Sequence, residues 1–293
     1  MQLLRASLIL LALLAPQKQA RQYERIDMAA SPIWISSDGD WDNTASWSTG
    51  VLPVSTDTAV FDGVSSVVSV TSNLNQTGVD LARIEISPEY TGDIGSTGSP
   101  LQIDATVVLH RGTGTLYLKG DGGGIGVQVD STNLVDALVL SGTSTLLTLD
   151  VKKGHATVDN TVTNLGGVRV IGDKAIVIIE ANGAEKITSI IQQAGFCENN
   201  RPLSDAAAIA IVNGGVFVHE NGAVTQLHVQ GGTCEWNAVE TLTLGLVGRG
   251  LLDFTRSGNV KTVSALVILP GAEVFTTSQT TVAATTDFRK EIP

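Results

Sequence analysis

Acidic side chains offer this sequence its widest scope for chemistry. The chain has 29 Asp and Glu against 18 Lys and Arg, a formal net charge of −11. Asp38, Asp40 and Asp42 alternate as in the first half of a calcium loop, where several oxygens converge on one cation. The pattern then breaks. The loop's sixth position is Asn43 where glycine is needed, and its twelfth is Thr49 where a bidentate glutamate is needed. These aspartates are therefore read as turn formers, with a calcium site as the alternative. Glycoside cleavage needs paired carboxylates, one acid and one base or nucleophile, on one face of a scaffold. Two trios come into question: Asp150, Asp159 and Asp173, and Glu220, Glu235 and Glu240. Their spacings do not match one repeat, and basic partners are sparse, so no catalytic site is expected and the chain is not read as an enzyme.

Four histidines, His110, His155, His219 and His228, are scattered, and no Cys/His pattern has zinc spacing. Cys197 and Cys234 allow one disulfide; two buried free thiols are the preferred reading. The run Gly120 to Gly126 fits neither a dinucleotide fingerprint nor a phosphate loop and is read as a flexible turn. No cofactor is implied. The acidic balance repels nucleic acid and anionic membrane, so neither is an expected partner.

These residues must be positioned by strands. Hydrophobic residues make up 43% but aromatics only 4%, with 31 glycines, which suits thin layers of Val, Ile, Leu and Thr. From Ile33 onward short β-branched runs alternate with Gly, Asn, Asp and Ser turns, as in Thr58-Ala59-Val60-Phe61 and Arg83-Ile84-Glu85-Ile86. Only Ser131 to Leu140 and Ala184 to Gln193 hint at a helical period. Gly-Gly steps at Gly166-Gly167, Gly214-Gly215 and Gly231-Gly232 each open an alternating strand, and further turns fall at Gly248 to Gly250 and Pro270-Gly271. Between Gly214 and Gly271 the step is about 17 to 21 residues. Such a period predicts an all-β protein, a parallel β-solenoid (β-helix) in which each coil buries its apolar face only against its neighbours. A β-sandwich or jelly roll is the alternative. The segment between Ile191 and Ala207, with Cys197 and Pro202, is predicted to bulge as a loop.

The most distinctive stretch is Ile33 to Pro53, which holds Trp34, Trp41 and Trp47 in the order Gly39-Asp40-Trp41-Asp42-Asn43 … Ser46-Trp47-Ser48-Thr49-Gly50 … Pro53, then Asp57 to Asp62. It resembles the opening of phage-encoded virion-associated β-solenoid proteins. The style is shared with secreted bacterial surface proteins carrying autotransporter-type strand repeats. Leu74 to Ile86, and Tyr90-Thr91-Gly92-Asp93-Ile94-Gly95 with Pro100 to Ile103, resemble the continuation in the phage group. The likeness covers Ile33 to Ile103 and implies a β-rich structural role without catalytic residues. In physical terms, large indoles can cover the open apolar end of a first coil, so Trp34, Trp41 and Trp47 are expected to form a cap.

The chain thus divides into a leader (1–27), a cap region (28–110) and a repetitive solenoid (111–293). In the leader, the apolar run from Leu8 to Ala15 after Arg5 reads as a secretory signal peptide too short to span a membrane, or as untranslated sequence if Met28 is the start. The expectation is a non-enzymatic structural or adhesive protein, a head or tail component of a phage virion. It would contact other virion or surface proteins and host glycans, as a homo-oligomer with a trimer favoured. The alternatives are a secreted cell-surface solenoid that binds glycans or matrix, and a polysaccharide-active β-helix enzyme.

Overall fold

The computed structural model describes residues 30–142, 145–163, 165–181, 187–203 and 208–290. The leader (1–27) lies outside them. The described residues form a parallel β-solenoid of about ten turns with no α-helix, so the sandwich alternative is excluded. Every strand-to-strand pairing is parallel, whereas a sandwich or jelly roll needs antiparallel hairpins.

Two long ladders build the solenoid. The first starts with β1 (Thr58–Phe61), β2 (Asn75–Ile86) and β3 (Leu101–His110). It leaves out β4 (Leu116–Gly120) and takes β5 (Gly124–Asp130), then leaves out β6 (Leu138–Gly142) and takes β7 (Thr145–Val158) and β8 (Leu165–Val170). The second runs from β4 through β6 and the end of β7 to β9 (Ala175–Ile179). From there the strands alternate between ladders. The first continues through β10 (Ile187–Gln192), β12 (Ile209–Val212), β14 (Val224–Val229), β16 (Leu242–Val247), β18 (Lys261–Ile268) and β20 (Thr280–Asp287). The second continues through β11 (Phe196–Asn199), β13 (Val216–His219), β15 (Thr233–Trp236), β17 (Gly250–Asp253) and β19 (Ala272–Phe275).

Because pairing is parallel and nearly in register, like positions stack into columns inside the coil. One column on the first ladder runs Phe61, Ile86, His110, Val129, Val151, Val170, Gln192, Val212, Val229, Val247 and Ile268, all buried. The alternation of buried and half-buried residues along β4, β6 and β9 is what a strand with one face on the core requires. A single apolar cluster extends from Trp34 to Ala272. The boundary drawn at residue 110 therefore has no break in packing, and the cap region is the first part of the same column.

Three expectations change. The segment between Ile191 and Ala207 is not a simple bulge: it contains β11, whose Cys197 is fully buried, while residues 204–207 lie outside the described ones. Gly166-Gly167 does not open a unit like the later glycine pairs. It lies inside β8 on the first ladder, while Gly214-Gly215 and Gly231-Gly232 lead into the second. The true counterpart of Gly215 is Gly195: a corner column of Gly195, Gly215, Gly232 and Gly250 has φ of 67°, 72°, 67° and 85°. A Cβ on Gly215 would lie 2.2 Å from the Gly195 carbonyl oxygen, so the stack needs glycine for space as well as for conformation. Finally, the first hinted helical stretch is a run of bends that leads into β6, and the described part of the second, from Ile187, is β10; residues 184–186 lie outside the described ones.

Candidate functional site

The three aspartates of the opening turn do not converge. Asp38 accepts from the Ser36 hydroxyl (2.8 Å), the Asn43 amide group (2.7 Å) and the backbone N–H of Asp40 (3.1 Å). These donors, led by Ser36, pull its pKa down to about 2. Asp40 accepts from Asn73 (2.7 Å) and from the backbone N–H of Asp42 (3.0 Å), and Asp42 accepts from Gln76 (2.7 Å). Each carboxylate thus braces a turn or ties the opening loop to the next coil, as short Asp side chains do in turns. Among the described residues no group of three or more His, Cys, Asp or Glu is arranged to hold a metal ion.

The catalytic candidates are dispersed in the same way. Asp150 stands on the outer face of β7 in a two-pronged ion pair with Arg169, the next rung along. Asp159 caps a turn by accepting from the Thr161 N–H (2.7 Å). Asp173 lines a shallow groove of about 580 Å³ with Leu134, Lys174, Ile176 and Phe196. In the second trio, Glu220 accepts from the Asn237 amide (2.8 Å), Glu235 faces Arg256 (3.5 Å), and Glu240 accepts from the Gly222 N–H (3.0 Å). Five of these six carboxylates thus meet five different partners.

The tryptophans do come together. Trp34, Trp41 and Trp47 are buried at the N-terminal end of the core. Trp47 meets Trp34 and Trp41 edge-on at centroid distances of 5.1 and 4.9 Å. Phe61, the first member of the core column, packs 5.8 Å from Trp34 and 5.2 Å from Tyr90. The polar edges are satisfied at Trp34, which donates to the Val68 carbonyl (2.9 Å), and at Trp47, which donates to the Trp41 carbonyl (2.9 Å). The backbone closes the edge too: Ile33 and Trp34 add a short parallel bridge to β1 and are themselves paired with Trp47.

Two polar features escaped sequence reading. The first is a buried step in the second ladder, where Asn199 and His219 follow Ile179 in an aliphatic column and precede Trp236. His219 Nε2 donates to the Gly222 carbonyl (2.6 Å), which leaves Nδ1 to accept from Asn199 Nδ2 (3.1 Å). Burial pushes the His219 pKa down to about 4, so the ring is neutral at pH 7. Beside it, the buried Arg201 side chain donates to the carbonyls of Glu180 (2.8 Å), Val162 (2.7 Å) and Asp159 (2.7 Å) and so clamps the two corners that follow β7 and β9. The second feature is an open polar groove of about 360 Å³, lined by Thr71, Asn73, Asn75, Ser99, Gln102 and Lys119. Asn75, Gln102 and Lys119 occupy successive rungs. They lie 27 and 17 residues apart in sequence, and the first interval is outside the recurring step of the later coils, so only the register reveals the cluster.

Cys197 and Cys234 are both buried and free, as preferred from the sequence. They are separated in their column by Phe217, and burial raises both thiol pKa values far above the ordinary range. No helix among the described residues is long and apolar enough to cross a membrane. The chain matches no protein-family model, and no similar curated protein or solved structure was found.

Proposed function

We propose that the chain is a non-enzymatic structural or adhesive component, a β-solenoid rod of a phage virion in contact with other particle proteins. The observation that carries this reading is the unbroken parallel column from Phe61 to Ile268, closed at one end by the indole cluster. A stacked coil of this kind is stiff, because each rung is held by backbone bonds on both sides and shares one core. The dispersed carboxylates support a mechanical rather than a catalytic role. The resemblance of Ile33 to Ile103 to virion-associated proteins supports the setting.

A second reading, a secreted surface solenoid that binds glycans, is favoured by the polar groove at Asn75, Gln102 and Lys119, whose amide and ammonium groups can bond hydroxyls. Purified phage particles from the producing strain test the first reading. The chain's peptides are expected in the particle fraction, with an N-terminus at Met28. Recovery only from culture fluid, with a start near Ala20 or later, supports the second reading instead. Turnover of an acidic polysaccharide that is lost in Asp150→Asn or Glu235→Gln would overturn both.

A further inference from the structure

The polar groove over the first coils presents free hydrogen-bonding groups in a definite order. Asn75, Gln102 and Lys119 stand on three successive rungs on the outer face, while the residues just before them, Leu74, Leu101 and Leu118, are buried. Neighbouring rungs are about 4.8 Å apart, so the three side chains form a row about 10 Å long. Their local partners fix which atoms are left over. Asn75 Oδ1 accepts from the Thr77 N–H (3.3 Å) and hydroxyl (2.6 Å), so its NH2 group remains as a donor. Gln102 Nε2 donates to the Asp121 carboxylate (3.2 Å), and a carboxylate only accepts, so Gln102 Oε1 remains as an acceptor. Asp121 is also held by the Gly78 N–H (3.1 Å). The Lys119 ammonium has no carboxylate within ion-pair distance among the described residues. The row therefore reads donor, acceptor, charged donor.

We propose that this groove binds an acidic sugar, a uronic acid unit of a saccharide, with its carboxylate on Lys119. This deepens the glycan-binding reading and rests on it. The order of free groups selects the class. Sulfate offers only acceptors and would set one against Gln102 Oε1. A neutral sugar gives Gln102 a hydroxyl donor but leaves Lys119 without a counter-charge. A uronic acid supplies a carboxylate for Lys119, a hydroxyl donor for Gln102 and a hydroxyl acceptor for Asn75. Leu74 and Pro100 add apolar surface to the lining, which suits the C–H face of a pyranose ring. The chain's net charge of −11 opposes any anion at long range. At physiological ionic strength that field is screened within about 8 Å, so the direct contact at Lys119 decides.

Isothermal titration of the full chain with trigalacturonate and with trimannuronate, each beside its methyl ester, tests this. At least one acid is expected to bind about tenfold or more tighter than its ester, with the margin shrinking as salt rises. Lys119→Gln should bring the acid down to the level of the ester and leave the ester unchanged, whereas Lys119→Arg should keep the preference. Asn75→Ala should weaken acid and ester alike. An ester that binds as tightly as its acid and still needs Asn75 overturns the acidic class and leaves the glycan reading standing. An acid whose affinity ignores both Lys119 and Asn75 overturns the groove as its site. No binding by any of the four overturns the inference together with the glycan reading. Both positions lie on the outer face, and unchanged far-UV circular dichroism separates lost binding from lost folding.

Discussion

His219 shows what a single polar residue does inside an aliphatic column. The ring is accommodated because both nitrogens have partners, Gly222 and Asn199, and because it stays neutral. Its folded pKa is about 4 against 6.5 for the ordinary group, and His110 shifts in the same direction to about 4, again through burial. Between those values the unfolded chain binds protons that the folded chain does not, so stability is full above pH 6.5 and falls as pH drops towards 4. Each histidine contributes about 3 kcal/mol to this loss. Urea midpoints should hold steady from pH 8 to about 6.5 and then decline. His219→Leu should start lower, because Asn199 loses a partner, but decline less steeply. Arg201 presents the opposite case, a buried cation held by backbone carbonyls. Arg201→Met leaves those carbonyls without their guanidinium donors and should cost about 3 kcal/mol or more in the same unfolding assay.

Among the elements, the corners set the tightest limits. Gly215 has a positive φ of 72° and no room for a Cβ, so Gly215→Ala should destabilise by at least about 2 kcal/mol. Gly98→Ala is the matched control: nothing lies within 4 Å of its Cβ position, and its thermal midpoint should barely move. At the N-terminal end, Trp47→Ala removes an indole in contact with Trp34, Trp41 and Phe61 and should cost about 3–5 kcal/mol. Near-UV circular dichroism should lose intensity in the same variant, because the exciton partners of Trp47 lose their fixed geometry.

For the molecule as a whole, a one-dimensional stack makes the interior uniformly inaccessible. Cys197 and Cys234 sit in the same column as Val177, Phe217 and Leu252, and their thiolates are strongly disfavoured by burial. Thiol labelling under native conditions should therefore be negligible, with both cysteines reacting only when urea unfolds the chain. Oxidising conditions should not link them, since Phe217 stands between. Labelling of either cysteine in the native state would show that the rungs open locally.

Much of this architecture could be read from residues alone. Alternation in runs such as Arg83 to Ile86, turn glycines and a recurring step near 20 determine parallel coils, because strand burial has a period of two and a coil cannot bury its own face. The indole-rich opening likewise announced a covered end. Tertiary register decided the rest. Whether Gly166 and Gly215 are equivalent, whether Asn199 meets His219, and whether Asn75, Gln102 and Lys119 share a groove all depend on coil lengths that vary, from 17 residues between β13 and β15 to 27 between Asn75 of β2 and Gln102 of β3. A one-residue change in a corner turns a side chain from core to surface, so local pattern cannot specify it. The same register gives the carboxylates that sequence offered as catalytic candidates their separate partners, such as Arg169 for Asp150 and the Gly222 N–H for Glu240.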